Sequence, residues 1–259
     1  MISIFKEILE YRGMIYSLVQ RDQRGRYKRS FLGFLWTFIN PLMQMIVYTI
    51  VFSIIMRSGI EKYYMFLFVA LIPWIFFSGT ITGGCVCLSD GAQLIKKIYF
   101  PREVLPISYT ISSFLNMLYS FIVIFAVIMV TGYGVSFIAL LYLPVIMFIE
   151  FLLVLGFELL VSAVTVYFND MKHILGIVMM SWQFLTPVMY ADEMIPDRLK
   201  PIWNINPMTP VIKAYRDILY YRQAPHMMTL VSAAVFAVIL LMIGEFVFRI
   251  LQRRFAEVL

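Results

Sequence analysis

Charged residues are scarce in this chain, and cysteine and histidine are almost missing. Of its 259 residues, 14% are charged, 62% are hydrophobic and 17% are aromatic. A soluble domain is roughly one quarter charged, so this sequence has too little polar material to cover a surface that faces water. The two cysteines, Cys85 and Cys87, cannot build a disulfide or metal framework, and we expect them to be small packing residues. The composition therefore predicts an integral membrane protein.

The motifs of several enzyme classes are missing as well. The sequence contains no GxxxxGK[ST] phosphate loop, so it cannot bind and hydrolyse ATP in the manner of P-loop proteins. His173 and His226 fall at opposite membrane faces of the topology given below, so they form neither a metal pair nor a nucleophile–base pair. Asp192, Glu193 and Asp197 are too exposed to suggest a glycosidase pair. We expect no catalytic residue, metal or cofactor in this chain. The net charge of +6 gives no reason to expect nucleic acid, because its largest cluster abuts a membrane segment.

Six apolar runs are long enough to cross a bilayer, which takes about 20 helical residues. They lie near residues 31–56, 63–88, 104–131, 137–166, 171–190 and 228–249. We therefore predict an all-α membrane domain over residues 31–259, preceded by a cytoplasmic segment over residues 1–30. Gly79 and Gly83, four residues apart in the second run, favour close packing of that helix against a neighbour.

The distribution of positive charge predicts the orientation. Five cations fall between Arg21 and Arg29, directly before the first apolar run, and lysine and arginine resist translocation. With this flank in the cytoplasm, fourteen of the 21 lysine and arginine residues fall on inner segments and seven on outer ones. Both termini are then cytoplasmic.

Residues 2–20 have the pattern of an amphipathic helix. Ile4, Ile8 and Ile15 recur near helical spacing, and charged residues such as Lys6 fall elsewhere. The stretch is too polar to span, so we expect it to lie in the cytoplasmic membrane interface. An ordinary packed N-terminal helix is the alternative. The same charges interrupt any apolar core of a signal peptide, so we expect none to be cleaved.

The cytoplasmic loop over residues 89–103 contains a predicted short amphipathic helix. Asp90 is a candidate N-cap, and Leu94, Ile95 and Ile98 would share one side. Such a helix at the inner mouth of a membrane protein can dock a partner, or it can be a mere connector in the interface.

The outer segment over residues 191–225 is long and contains five prolines. Thr209 followed by Pro210 predicts an N-cap and the first residue of a helix. The apolar face of this helix would lie opposite a polar face with Lys213, Arg216 and Asp217. Long ordered loops tend to be functional, and short helices here could dip into the outer leaflet and close a pathway. The residues that we assign to this gate are Pro207, Thr209, Tyr215, Arg216, Ile218 and Leu219.

Ionisable and aromatic side chains within the apolar runs each allow two interpretations. Glu150 and Glu158 lie in the fourth run, where a carboxyl group is costly and often functional. Eight helical residues turn roughly 80° past two full turns, so the two do not share a face well. Structural pairing or cavity lining and proton coupling both remain open. Trp36, Tyr48 and Trp182 either belong to the interfacial aromatic belt or line a pore.

Four blocks of the sequence resemble one family and occur in its order. The first block consists of Arg21-Asp22, Arg26-Tyr27-Lys28, Ser30-x-Leu32-Gly33-x-x-Trp36, Pro41-Leu42 and Val47-Tyr48. The others are Tyr99-Phe100-Pro101-Arg102-Glu103-Val104-Leu105-Pro106-Ile107-Ser108, Phe168-Asn169-Asp170 through Thr186-Pro187-Val188-Met189-Tyr190, and Asn206-Pro207-Met208-Thr209-Pro210 through Tyr215-Arg216. They cover nearly the whole chain, which thereby resembles the ABC-2 type permeases that export O-antigen, capsule and teichoic acid polysaccharides.

The resemblance implies six transmembrane helices of the type V exporter kind, with an N-terminal interface helix and short re-entrant gate helices on the outer side. Such permeases form a homodimer in the bacterial inner or plasma membrane. Two copies of a separate subunit bind ATP and magnesium and drive the export of a glycan carried on a polyprenyl diphosphate. The residues implied to couple to that ATPase are Asp90, Leu94, Ile95, Ile98, Arg102 and Glu103.

The resemblance also gives the basic flank a second interpretation. Arg24, Arg26, Lys28 and Arg29 could attract the lipid diphosphate, whereas their role as a positive-inside anchor suffices on its own. The aromatic residues could stack on sugar rings.

Three functions remain open at this stage. The first is polysaccharide export, and the second is ABC-2 export of drugs or small hydrophobic molecules. The third is an intramembrane enzyme or proton-driven carrier built on Glu150 and Glu158, which would work without an ATPase. The material that accumulates in a deletion strain separates them.

Overall fold

The computed structural model describes residues 10–27 and 31–258, which form helices joined by turns. The helices, numbered in chain order, are α1 (Arg12–Tyr27), α2 (Trp36–Thr49), α3 (Tyr63–Gly84), α4 (Cys87–Asp90), α5 (Ala92–Lys97), α6 (Val104–Thr131), α7 (Phe137–Leu140), α8 (Leu143–Tyr167), α9 (Met171–Leu185), α10 (Lys200–Ile205), α11 (Met208–Leu219), α12 (Met227–Leu251) and α13 (Phe255–Val258). Helical turns of other types lie at Gly33–Leu35, Ile50–Ile55, Asp192–Met194 and Gln252–Arg254. The predicted all-α class is confirmed over the part of the chain that is described.

Five helical stretches among these residues are long and apolar enough to cross a membrane. They are Gly33–Ile55, Tyr63–Gly84, Val104–Thr131, Phe137–Tyr167 and Met227–Arg254. The fifth predicted run forms α9, whose 15 residues fall short of the roughly 20 that a crossing takes. The helix ends because Thr186 is extended before Pro187, and a residue before proline is driven out of the helical region. The predicted number of six transmembrane helices is therefore not confirmed.

Hydrogen bonds between helix ends define two ends of the bundle. At one end, which we call the basic end, Tyr167 donates to the carbonyl of Leu251 at 2.8 Å, just before the C-terminal arginines. At the opposite, distal end, Tyr133 donates to the carbonyl of Tyr220 at 2.9 Å. Each end therefore gathers the termini of several helices that are far apart in sequence.

The chain after α8 passes from the basic end to the distal end. Helix α9 begins four residues after Tyr167, and beyond its last turn the carbonyl of Met189 accepts a 2.7 Å hydrogen bond from Tyr63, the first residue of α3. The short helix α9 and its extended continuation thus run along the whole bundle, although α9 alone is too short to span.

Helix α3 is the centre of the bundle. In an apolar stretch of 18 residues within it, 78% of the residues are buried, whereas 6% are buried in such a stretch of the span Gly33–Ile55. Around α3 pack α2, α6, α8, α9 and α11. A helix that is apolar on all sides and enclosed by others is a core helix, so α3 is the element on which the rest of the bundle packs.

The closest helix pair is α8 with α12, which meet at two glycines. A β-carbon at Gly244 would lie 2.1 Å from the carbonyl oxygen of Gly156, and one at Gly156 would lie 2.5 Å from the amide nitrogen of Leu241. The two backbones touch there, as small residues allow in membrane bundles. The expected close packing of α3 is found at Gly83, where a β-carbon would clash with the hydroxyl of Tyr109 on α6. The expectation is wrong at Gly79, where a β-carbon meets nothing within 4 Å.

Helix α1 packs against α6 on the side of the basic end. Residues 2–9 of the predicted amphipathic helix lie outside the described residues. Beyond them α1 continues to Tyr27, past the predicted end at residue 20. Leu18 is buried, and the amide of Gln23 donates to the carbonyl oxygen and the hydroxyl of Ser112 at 2.7 and 3.0 Å. Helix α1 therefore packs on the bundle, and its position in the membrane interface stays a prediction.

A matched pair of glycine substitutions tests the contact between α8 and α12. We expect Gly244→Ala to lower the free energy of unfolding by about 1–3 kcal/mol, because the added β-carbon forces two backbones apart. Gly79→Ala is the control, since open space surrounds it and alanine favours a helix by about 1 kcal/mol. Reversible unfolding in mixed dodecyl maltoside and dodecyl sulfate micelles measures both. Equal stability of the two variants would contradict the observed packing.

Candidate functional site

Helix α11 does not lie on the surface of the distal end but is inserted into the bundle. Ten of its 12 residues are buried, and it packs against α3, α8 and α12. Tyr215, Ile218 and Leu219 are at most 1% exposed. The apolar face that suggested a gate is thus covered by the chain's own membrane helices. What the residues 191–225 do during a transport cycle stays a prediction.

The start of α11 differs from the predicted one. Thr209 is not the N-cap, because the helix begins at Met208 with Pro207 in the N-cap position. The cap is supplied by Asn206, whose side-chain oxygen accepts from the amide of Met208 at 3.0 Å. The amide group of Asn206 also donates to the hydroxyl of Thr186 at 2.8 Å. One side chain therefore fixes the start of α11 to the end of α9.

Tyr215 connects α11 to the interior of α8. Its hydroxyl donates to Oε2 of Glu150 at 2.6 Å, and both residues are fully buried. A carboxyl group inside a membrane protein is costly without partners, so this bond stabilises the inserted position of α11. The finding favours structural pairing for Glu150.

Glu158 occupies a different place on α8, nearer the basic end. The thiol of Cys87 lies 3.8 Å from its Oε1, and its carboxyl group fills the space that Gly84 leaves open. The two glutamates therefore contact different helices, about 12 Å apart along the axis of α8. This separation speaks against a direct proton relay between them.

Arg216 binds the extended segment that follows α9. The sequence pattern placed it on the polar face of α11, but it is 4% exposed. Its guanidinium donates to the carbonyls of Val188 at 2.8 Å and Tyr190 at 3.3 Å, and it lies 3.6 Å from the ring centroid of Phe66. Burial lowers the pKa of Arg216 to about 10, so the side chain is still a cation at neutral pH. The segment after α9, α11 and α3 are thereby held as one unit.

The predicted docking helix at the basic end is arranged differently from the expectation. Asp90 closes α4, and Gly91, without a side-chain cap, precedes α5. Ile95 is 9% exposed and packs into the protein's own core, whereas Ile98 is extended and 55% exposed. Leu94 is half-buried. The three apolar residues do not share a face, because the helix ends before Ile98.

Arg102 and Glu103 hold the C-terminal segment at the basic end. The guanidinium of Arg102 donates to the carbonyl of Gln252, and the side-chain amide of Gln252 donates to Glu103 at 2.9 Å. The guanidinium also lies 6.0 Å from the ring centroid of Phe255. Both residues thus have structural partners within this chain.

The basic flank is described only in part. Lys28 and Arg29 lie outside the described residues, and Arg24 is exposed on α1. Arg26 forms an ion pair with Asp22 at 2.8 Å and donates to the hydroxyl of Ser113 at 3.0 Å. Arg26 therefore bridges α1 and α6.

The three aromatic residues proposed for a pore have different surroundings. Trp36 is 41% exposed and lines a cavity of about 400 Å³ beside Arg26. Trp182 packs edge-on against Phe77 and Phe157 at centroid distances of 5.5 and 5.7 Å. Tyr48 is half-buried against the core. Of the three, Trp36 borders open space, whereas Trp182 belongs to an aromatic cluster inside the bundle.

Several residues that position these elements were not assigned a role from the sequence. Asn206 was noted only as part of a motif, and its following proline was the available signal for a cap. Gly156 and Gly244 belong to different helices, so no spacing rule within one helix identifies them as partners. Three polar side chains of α6, at Ser113, Asn116 and Ser120, line the same cavity as Trp36. Their spacing of three and four residues is the helical one, and it could have been read as a polar stripe.

Five membrane-length stretches in the described part of the chain, one of them the enclosed core helix α3, define a multi-pass helical membrane protein. Residues 14–220 match the family model described as ABC-2 type transporter, and the chain belongs to that family. It is 35% identical to the O-antigen export system permease protein RfbA of Myxococcus xanthus over 99% of each chain. It is 30% identical to a permease of that name in Klebsiella pneumoniae over 95% of each chain. The polysialic acid transport protein KpsM of Escherichia coli is 25% identical over 91% of this chain and 92% of its own.

A conservative substitution measures how firmly α11 is held. We expect Tyr215→Phe to lower the free energy of unfolding by about 1–3 kcal/mol, since a buried carboxyl oxygen loses its donor. Glu150→Gln keeps an acceptor for the hydroxyl and should lower the free energy of unfolding by less. Tyr220→Phe is the control, since it removes a more exposed hydroxyl that donates to the carbonyl of Glu61. Steric trapping in bicelles gives all three values. A cost for Tyr215→Phe no greater than that for Tyr220→Phe would show that the buried bond does not hold α11.

Proposed function

We propose that this chain is the membrane permease of an ABC exporter that moves a cell-surface polysaccharide, carried on a polyprenyl diphosphate, across the bacterial inner or plasma membrane. The observation that carries the proposal is the match to O-antigen export permeases from end to end, including 35% identity over 99% of both chains in one case. The similarity to a polysialic acid transport protein supports a glycan cargo and leaves the sugar repeat open.

The energy for export would come from a separate ATPase subunit, present in two copies. The absence of a phosphate loop from the sequence supports this part of the proposal. The basic end would then face the cytoplasm, with both chain termini on that side, because positive charge collects there.

The permease itself would be a homodimer. Helices α2 and α9 leave apolar side chains exposed in a single copy. These side chains include Met43, Ile46, Val47, Ile174, Ile177 and Phe184. A second copy would cover part of this surface, because a stable interface buries well over 1,000 Å². Lipid would cover the rest.

The distal segment would control the exit. The polar contacts that hold its helix α11 include those of Tyr215 with Glu150 and of Arg216 with Val188. Such a segment can move as a unit when these polar contacts break. In the proposal, movement of α11 opens the distal end to the glycan.

The coupling site would lie at the exposed end of the loop over residues 89–103. Ile98 and Tyr99 are 55% and 93% exposed there, beside Lys96 and Lys97. An apolar pair flanked by lysines suits contact with a protein partner in the cytoplasm. Arg102 and Glu103 would support that site through the C-terminal segment.

Deletion of the gene tests the proposed cargo. We expect lipid-linked glycan to accumulate on the cytoplasmic face, because its carrier cannot cross without the permease. Extraction and mass spectrometry of polyprenyl lipids measure the accumulation, and surface staining measures the loss of polysaccharide. Normal surface polysaccharide in a clean deletion strain without a paralogue would refute polysaccharide export. Loss of drug resistance instead would favour the exporter of small hydrophobic molecules.

Matched isoleucine substitutions test the coupling site. We expect Ile98→Asp to abolish recovery of the ATPase with the tagged permease, since an unpaired charge in an apolar contact costs several kcal/mol. The permease should still insert, because Ile98 is exposed in the single chain. Ile202→Asp, equally exposed at the distal end, is the control and should leave the association intact. Unchanged recovery with Ile98→Asp would place the ATPase elsewhere.

A further inference from the structure

The cavity beside Arg26 is walled by polar side chains at membrane depth. It measures about 400 Å³ and lies between α2, α3 and α6. One wall is the polar stripe of α6, formed by Ser113, Asn116 and Ser120, and Asn40 of α2 also lines the cavity. Helix α6 starts at the basic end, so Asn116 lies roughly 18 Å along it, beyond the headgroup region.

Polar side chains at this depth are costly, because lipid tails offer them no hydrogen bonds. Such groups inside membrane proteins commonly mark the path of a polar substrate. The hydroxyl of Ser120 donates to the backbone carbonyls of Asn116 at 3.0 Å and of Thr37 at 3.3 Å. The side-chain amides of Asn116 and Asn40 each carry donors and an acceptor, which suits a polar, uncharged ligand.

The opposite wall is apolar and partly aromatic. Ile72, Ile75 and Phe76 of α3 line it, and Trp36 stands at the side of α2. A sugar ring has hydroxyls at its edge and an apolar face, and aromatic rings with polar surroundings suit such a ligand. The volume is near the lower end of the roughly 300–1,000 Å³ of small-molecule sites, which fits one or two sugar rings and not a polymer.

Arg26 borders the cavity on the side of α1. Its guanidinium is held by the hydroxyl of Ser113 at 3.0 Å, by the carboxylate of Asp22 at 2.8 Å and by the ring of Tyr109, whose centroid is 5.2 Å away. Asp22 partly neutralises this guanidinium, but a partly exposed ion pair contributes little to stability and can yield to a diphosphate. A guanidinium is well shaped for phosphate oxygens.

We propose that this cavity binds the first sugar of the lipid-linked glycan, with Asn116 and Asn40 on sugar hydroxyls, Trp36 against the ring and Arg26 on the diphosphate. The site rests on the proposed function and adds to it a place where the reducing end of the cargo is recognised within one protomer. Gly79 also lines the cavity, and a β-carbon there meets nothing within 4 Å, so a larger side chain at this position would occupy free space.

Equilibrium binding to the purified permease–ATPase complex in nanodiscs tests the site. The probe is undecaprenyl diphosphate bearing one N-acetylglucosamine, and undecaprenyl phosphate and phosphatidylglycerol are the sugar-free comparisons. We expect Asn116→Leu to weaken binding of the glycosylated probe about 5- to 10-fold, through the loss of one or two hydrogen bonds, and to leave undecaprenyl phosphate unchanged. Gly79→Leu, which fills the cavity, should weaken binding of the glycosylated probe at least as much.

The controls are the same substitutions elsewhere, Asn204→Leu at the distal end and Gly13→Leu on α1, where a β-carbon also meets nothing within 4 Å. Thermal stability of every variant is measured alongside, and Asn40→Leu replaces any cavity variant that fails to fold. Unchanged binding in the cavity variants, an equal loss for both polyprenyl lipids, or full competition by phosphatidylglycerol would overturn the sugar site. If the wild type binds no glycosylated probe although the deletion strain loses its polysaccharide, the site is wrong and the proposed function stands. If the wild type binds no glycosylated probe and the deletion strain keeps its polysaccharide, both the site and the proposed function are overturned.

Discussion

The structure depends on one constraint, that polar groups enclosed in a membrane bundle find partners within the protein. Helix α11 could not stay inserted if the hydroxyl of Tyr215 and the guanidinium of Arg216 had none. Glu150 accepts from the hydroxyl at 2.6 Å, and the carbonyl of Val188 accepts from the guanidinium at 2.8 Å. These bonds explain how a helix that carries a hydroxyl and a guanidinium lies buried among apolar helices.

The polar side chains divide the molecule into two regions with different tasks. At the distal end they join parts of the chain to one another, as Asn206 joins α9 to α11. Along α6 they line an open cavity whose other wall is apolar. The first arrangement suits a segment that holds a closed state, and the second suits a site that receives a polar ligand. Both arrangements suit the export of a glycan, which we propose for this chain.

The sequence predicts the elements that depend on composition and fails where contacts decide. Hydropathy located five membrane helices, because length and apolar content suffice for that. The predicted end of α9 is wrong, because Thr186, which precedes Pro187, stops the helix although the sequence stays apolar beyond it. Arg216 was assigned to a polar face because helical periodicity cannot show that Phe66 and two carbonyls would surround it. The contact of Gly156 with Gly244 was missed for the same reason, as it joins two helices.

Transport by the reconstituted complex is the most direct test of the central claim, that this chain forms a path for a lipid-linked glycan. The permease and its ATPase are placed in proteoliposomes with the fluorescent glycolipid on the side of the ATPase, and a glycosidase is added on the opposite side. The account predicts that cleavage of the glycan requires ATP and this chain together. Cleavage at the same rate without the permease, or no cleavage with both proteins and ATP present, would contradict it.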